Sequence, residues 1–138
     1  FWNSVADATI RHLATRHLST AAAMPCGSLD RPKLRALARY IEDNLAAKLD
    51  LADMAVFVGC DPFHFAHRFS SAVGVSPHRY VVRRRLERAR ALLQRSRHPV
   101  ADIAIATGFS DQSHMTNWMR RICGVTPARY RKFVQDRT

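Results

Sequence analysis

Four polar side chains between residues 112 and 117 have a spacing that would place them on one side of a helix. They are Gln112, Ser113, Thr116 and Asn117, whereas Met115 would fall on the opposite side. Gln and Asn can each form two hydrogen bonds with adenine N6 and N7, and Thr can contact a thymine methyl group. The set is therefore suited to reading base edges in DNA, although polar residues on a surface helix are more often simply solvated.

The predicted helix that carries these side chains is bounded by two glycines. Gly108 precedes it and Gly124 follows it, and glycine commonly ends a helix in the left-handed conformation. Ser110 is the expected N-cap, because a serine hydroxyl can accept a hydrogen bond from a free N–H of the first turn. Phe109 and Met119 are expected to anchor the helix in a core.

A similar arrangement occurs about fifty residues earlier in the chain. Residues 51–59 (LADMAVFVG) match 100–108 (VADIAIATG), and 74–80 (GVSPHRY) match 124–130 (GVTPARY). The offset grows from 49 to 50 between these matches, so the second copy has one extra residue in its turn. Each copy has the form helix, glycine turn, helix, glycine turn, which predicts two tandem helix-turn-helix units.

Hydrophobic spacing extends this prediction to an all-α protein of about seven helices. In the first copy, Asp61-Pro62 supplies an N-cap and a first-turn proline, and Phe65 and Phe69 are expected in the core. Asp30 is the expected N-cap of an earlier helix whose apolar face includes Leu34, Leu37, Ile41 and Leu45. A long central helix between the copies would bury Val82, Leu86, Ala89 and Leu93.

The predicted organisation has four segments. Residues 1–30 form an amphipathic helix and linker, 31–80 the first helix-turn-helix subdomain, 76–97 the connecting helix and 98–138 the second subdomain. Some twenty residues at 1.5 Å each give the connecting helix a length of about 30 Å. Successive major-groove segments on one side of B-DNA repeat about every 34 Å. That length would suit two reading helices in adjacent grooves.

The net charge indicates a polyanionic partner, either nucleic acid or an anionic membrane. The 138 residues include 22 Lys and Arg against 11 Asp and Glu, which gives a formal charge of +11. Predicted helix starts have free N–H groups that favour phosphate. The phosphate candidates are therefore three such starts and the basic residues near them: Ser76, Ser110, Thr126, Arg79, Arg120, Arg121, Arg131 and Lys132. The other arginines of residues 79–97 are interpreted as a solvated face, or as partners of acids on neighbouring helices or of phosphate.

Other classes of protein find little support in the sequence. No apolar run approaches the eighteen or so residues that a membrane span requires. Three widely spaced cysteines argue against a disulfide framework and fit a reducing cytosol. His64, His67 and Cys60 lack the further ligands of a metal site, and no cofactor motif is present. Catalytic motifs are missing too, and Cys123 matches an apolar position of the first copy, so it is interpreted as core.

These motifs resemble a known family. The segments IAIATGFSDQSHMTNWMRRICGVTPARYR and RRRLERARALL, within residues 33–133, are similar to the DNA-binding domain of AraC/XylS-type transcription regulators. The resemblance implies seven helices, with the second helix of each helix-turn-helix in the major groove. It also implies that residues 1–30 are the tail of a missing sensor or dimerisation domain.

The resemblance implies a cytoplasmic, nucleoid-associated transcription activator that binds double-stranded DNA sequence-specifically. Its partners would include RNA polymerase and a second copy joined through the missing domain. Phe63, Ala66 and His67 occupy the positions that face DNA in the family. Relatives usually have arginine at the positions of His67 and Asn117 and an aromatic residue at that of Met119, so the base preference is expected to differ. The alternative is a basic helical protein that binds membranes or polyanions without sequence preference.

Overall fold

A computed structural model describes residues 29–137, and that part of the chain contains seven α-helices and no β-strand. The helices are α1 (Arg31–Asp43), α2 (Leu51–Val58), α3 (Pro62–Val73), α4 (Pro77–Arg95), α5 (Val100–Ala106), α6 (Gln112–Cys123) and α7 (Pro127–Gln135). The predicted all-α fold with two helix-turn-helix units is confirmed. The helix and linker predicted within residues 1–28 lie outside the described residues.

The described chain forms two compact units. The first comprises residues 29–43 and Leu49–Arg79, and the second comprises Asn44–Lys48 and residues 80–137. Each unit contains one helix-turn-helix, formed by α2 and α3 in the first and by α5 and α6 in the second. The central helix α4 starts in the first unit and continues in the second.

The core of the first unit comes from one face of each of its helices. Leu37 and Ile41 of α1 lie one turn apart, and both are buried. Phe65 and Phe69 of α3 are buried in the same way, and their ring centroids lie 5.7 Å apart. The helix α2 packs against both α1 and α3. The prediction that both phenylalanines belong to the core is confirmed.

The core of the second unit is built on the predicted apolar face of α4. It consists of Val82, Leu86, Ala89, Leu93, Ile103, Ala104, Phe109, Met115, Trp118 and Met119. Phe109 and Met119 are almost fully buried, so the prediction that they anchor α6 is confirmed. Cys123 is half-buried against this cluster and has a free thiol. Cys60, by contrast, is disulfide-bonded, which the cysteine spacing did not predict.

Side-chain caps and glycine turns define the helix ends. Asp30 accepts a hydrogen bond from the Lys33 N–H at the start of α1, and Asp50 accepts one from the Asp53 N–H in α2. Gly74 and Gly124, which end α3 and α6, have φ values of 89° and 77°. Only glycine adopts such backbone angles readily, so α3 and α6 end where the sequence predicts.

Candidate nucleic-acid interface

The three candidate base-reading residues of the first unit lie on one face of α3. Asp61 caps the helix by accepting hydrogen bonds from the N–H groups of Phe63 and His64, each at 3.1 Å. Phe63 is 59% exposed, His67 is exposed and Ala66 is half-buried. Their spacing of i, i+3 and i+4 groups them on one side of the helix. The resulting surface is mainly apolar, with one imidazole.

His64 extends the same end of α3. Its Nδ1 bonds the second carboxylate oxygen of Asp61, and its ring meets the Phe63 ring edge-on with centroids 5.6 Å apart. Burial alone would raise the pKa of Asp61, but the hydrogen bonds and the charge of His64 outweigh it and hold that pKa below its usual value of 3.8. The helix therefore begins on an ionised carboxylate, which suits the positive end of its dipole.

In the second unit the cap of α6 differs from the predicted one. Asp111, not Ser110, is the N-cap, and its Oδ1 accepts from the His114 N–H at 2.7 Å. Ser110 instead lies in the turn, where its N–H donates to His114 Nδ1 at 3.3 Å. The extra residue of the second copy is thus absorbed in the turn. With an offset of 50 between the two copies, Asp111 aligns with Asp61, so the sequence itself contained a signal for the correct cap.

His114 occupies the position in α6 that His64 occupies in α3, but its ring is half-buried. The imidazole meets the Phe109 ring edge-on, with centroids 5.3 Å apart. Burial lowers the pKa of His114 below its usual 6.5, and the nearby charge of Arg85 lowers it further, while Asp111 opposes both effects. The neutral imidazole is therefore the form that fits the fold.

The outward face of α6 brings the four candidate base-reading side chains together. Gln112, Ser113 and Asn117 are exposed and Thr116 is half-buried. On the other side of the helix, Met115 is fully buried. The helix thus separates a polar, solvent-facing row from an apolar row in the core, as the sequence predicts.

The phosphate candidates fall into two groups. Ser76, Arg79, Ser110, Arg120, Arg121 and Lys132 are exposed, whereas Thr126 and Arg131 are half-buried. The hydroxyls of Ser76 and Thr126 accept hydrogen bonds from the N–H groups three residues later, at 3.2 and 3.3 Å, at the starts of α4 and α7. The Arg121 guanidinium lies over the Trp118 ring, 5.4 Å from its centroid.

Arg131 has an internal role that the sequence did not suggest. Its Nη2 donates to the His98 carbonyl oxygen at 2.6 Å, so the guanidinium ties α7 to the segment before α5. A side chain held in this way is less available to a phosphate than Lys132, which is exposed.

Two other kinds of site find no support in the same part of the chain. Residues 29–137 contain no group of three or more His, Cys, Asp or Glu side chains placed to hold a metal ion. None of their helices is both long and apolar enough to cross a bilayer.

Comparisons with known proteins match this architecture. Residues 54–132, more than half of the chain, match the family model described as a helix-turn-helix domain. The probable transcriptional regulator LumQ of Photobacterium leiognathi is 32% identical over 107 residues, which cover 78% of this chain and 43% of LumQ. The chain thus spans less than half the length of this curated relative.

Two solved structures share the fold. A transcriptional regulator with an AraC-type DNA-binding domain from Chromobacterium violaceum is 31% identical, with a TM-score of 0.69 over 74% of this chain and 91% of that one. The DNA-binding domain of AdpA, solved with a target DNA, is 26% identical, with a TM-score of 0.72 over 75% of this chain and 94% of that one. The chain therefore belongs to the AraC-type helix-turn-helix family of transcription regulators.

Proposed function

We propose that the chain is the sequence-specific double-stranded-DNA-binding part of a transcription activator, with α3 and α6 reading two adjacent major-groove segments. The observation that carries this proposal is the two-sided character of α6. Gln112, Ser113 and Asn117 face solvent while Met115 is fully buried, so the core fixes the helix and leaves the polar row free. Hydrogen-bonding side chains on a rigidly seated helix are what base readout requires.

The two reading helices would use different chemistry. On α6, Gln112 and Asn117 would each bond adenine N6 and N7, and Thr116 and Ser113 would bond a base edge or, for Thr116, contact a thymine methyl group. On α3 the exposed ring of Phe63 and the methyl of Ala66 would contact thymine methyl groups, and His67 would donate to guanine or to a phosphate. The second unit would therefore supply most of the hydrogen-bonded specificity.

Phosphate contacts would supply affinity without sequence preference. The exposed candidates are Ser76, Arg79, Ser110, Arg120, Arg121 and Lys132, together with the half-buried Thr126 and Arg131. The formal charge of +11 and the DNA bound to the related AdpA domain support this assignment.

The full-length protein would have partners beyond DNA. Because this chain spans 43% of LumQ, we propose that an upstream domain senses the signal and pairs two copies. RNA polymerase would be the partner through which the cytoplasmic, nucleoid-associated regulator activates transcription.

A comparison of affinities tests the proposal. Binding is measured at about 0.15 M salt on a duplex selected from a random pool, on a scrambled duplex of equal composition, and on anionic vesicles. The proposal requires the selected duplex to bind at least about 10³-fold more tightly than the scrambled one. Equal affinity for both duplexes, or tighter binding to vesicles, would establish the alternative of a general polyanion or membrane binder.

A further inference from the structure

The turn between α5 and α6 rests on a buried arginine. Eight arginines lie between positions 79 and 97, and Arg85 alone among them is buried, with 6% of its surface exposed. Its Nε donates to the Leu45 carbonyl oxygen and its Nη2 to the Ala47 carbonyl oxygen, both at 3.0 Å. Burial lowers the pKa of the guanidinium, which nevertheless stays charged at any physiological pH. All three residues belong to the second unit.

Gly108 connects this pair of hydrogen bonds to the turn. The glycine has a φ of 94°, and a Cβ at this position would overlap the Leu45 carbonyl oxygen and lie 2.6 Å from Arg85 Nε. The backbone of the turn therefore packs directly on the carbonyl that Arg85 holds. Gly59, the corresponding glycine of the first unit, has a φ of 73°, but a Cβ there would meet no heavy atom within 4 Å.

Hydrogen bonds between nearby residues fix the backbone from Gly108 to the first turn of α6. The buried Thr107 donates its hydroxyl to the Ile103 carbonyl oxygen at 2.7 Å, and the Phe109 N–H donates to the Ala104 carbonyl oxygen at 2.9 Å. Asp111 then caps α6. Only Phe109, Ser110 and Asp111 separate Gly108 from the first residue of the reading helix, so the turn has little freedom to absorb a displacement.

We propose that Arg85 is a positioning residue for base readout by α6, acting through Gly108. The proposal rests on the proposed function, in which α6 reads bases. Hydrogen bonds to base edges require donor–acceptor distances of about 2.7–3.2 Å and good alignment. Contacts between basic side chains and phosphates depend more on charge than on exact placement. A small shift of α6 would therefore weaken selected sites much more than random DNA.

A double-mutant cycle between Arg85→Met and Asn117→Ala tests this role. The readout is the ratio of Kd on scrambled DNA to Kd on the selected site, measured at a temperature where circular dichroism shows all variants folded. We expect Arg85→Met to lower this ratio by roughly 5- to 150-fold, with less than about threefold change on scrambled DNA. In the Arg85→Met background, Asn117→Ala should lower the ratio by less than about threefold further.

The alternatives give different results. An unchanged ratio in Arg85→Met would show that Arg85 serves stability alone and would overturn the inference. An Asn117→Ala effect that is present in the native background and of equal size in the Arg85→Met background would overturn it too. If Asn117→Ala had no effect in the native background while Arg85→Met lowered the ratio, the inference would stand and the base-reading role of Asn117 would fail.

Two further variants keep the test decisive if Arg85→Met does not fold. Arg85→Lys keeps the charge but can reach only one carbonyl well, so its ratio should lie between those of the native protein and Gly108→Ala. Gly108→Ala disturbs the same contact from the turn and should lower the ratio as Arg85→Met does. Gly59→Ala is the matched control, because it carries a similar backbone strain without a steric clash. A ratio that falls equally in both glycine variants would overturn the inference.

Discussion

The substitution Asn117→Ala should weaken binding to the selected DNA site while leaving the stability of the fold nearly unchanged. The Asn117 side chain is exposed on α6, and no hydrogen bond or ion pair joins it to residues 29–137. Asn117→Ala should therefore change the free energy of unfolding by less than about 0.5 kcal/mol. On the selected site it removes two hydrogen bonds to adenine, which together contribute about 1–3 kcal/mol. That loss corresponds to roughly 5- to 150-fold in Kd.

The assay is fluorescence anisotropy on the selected and scrambled duplexes at fixed salt, with urea unfolding of the same protein samples. On the scrambled duplex, Asn117→Ala should change Kd by less than about twofold, because its contacts there are not base-specific. Gln135→Ala is a matched control, since it truncates an exposed amide of α7 that has no proposed role in reading DNA. An equal loss of affinity on both duplexes would refute base readout by Asn117, and a fall in unfolding free energy would show an internal role.

Three further predictions concern the core, the pH response and the salt response. Met115→Ala should lower the free energy of unfolding by about 2–5 kcal/mol in urea, because it empties a fully buried position of α6; a change below about 1 kcal/mol would contradict the described packing. The unfolding free energy should fall as the pH drops below 6.5, because His114 binds a proton at a higher pH in the unfolded chain than in the folded one. His114→Asn should flatten that fall. An unchanged pH profile in this variant would refute the assignment of the pH response to His114. Lys132→Ala should reduce the slope of log K against log salt by about 1 without destabilising the fold. Arg131→Ala should also destabilise the fold, because it releases the His98 carbonyl. Equal stability of the two variants would contradict the internal role of Arg131.

Much of the fold could be predicted because its signals are local. Gly74 and Gly124 end helices through backbone angles that other residues rarely adopt, and the near-duplicate segments identify both positions at once. The spacing of apolar residues in α4 and α6 likewise predicts which side chains are buried, since an amphipathic helix packs its apolar face against the core. Phe109 and Met119 were predictable for the same reason.

The features that the sequence does not predict depend on contacts between residues far apart in the chain, or on the exact length of a turn. The sequence predicts the cap of α6 one residue too early, because Ser110 and Asp111 are both good N-caps and only the conformation of the turn decides between them. Arg85 could not be distinguished from its seven neighbours, because its partners lie about 40 residues earlier in the chain. The charge of Arg131 likewise predicts a phosphate contact, and the sequence gives no sign that the guanidinium donates to the His98 carbonyl.

The departures from the family pattern bear on which sequence is read. His67 and Asn117 are both exposed and occupy positions where the family resemblance leads one to expect arginine. Arginine favours guanine in bidentate contacts, whereas asparagine favours adenine. We therefore expect the preferred site of this protein to be richer in A·T pairs opposite α6 than the sites of relatives with arginine there.

Selection of binding sites from a random DNA pool tests the central claim most directly. Two reading helices in adjacent major-groove segments predict one enriched motif with two parts, their centres about 10–10.5 base pairs apart. When the selection is repeated with Asn117→Ala, one part of the motif should no longer be enriched, and that part should be rich in adenine. A pool that shows no enrichment after repeated selection, or a motif with a single short part, would contradict the account.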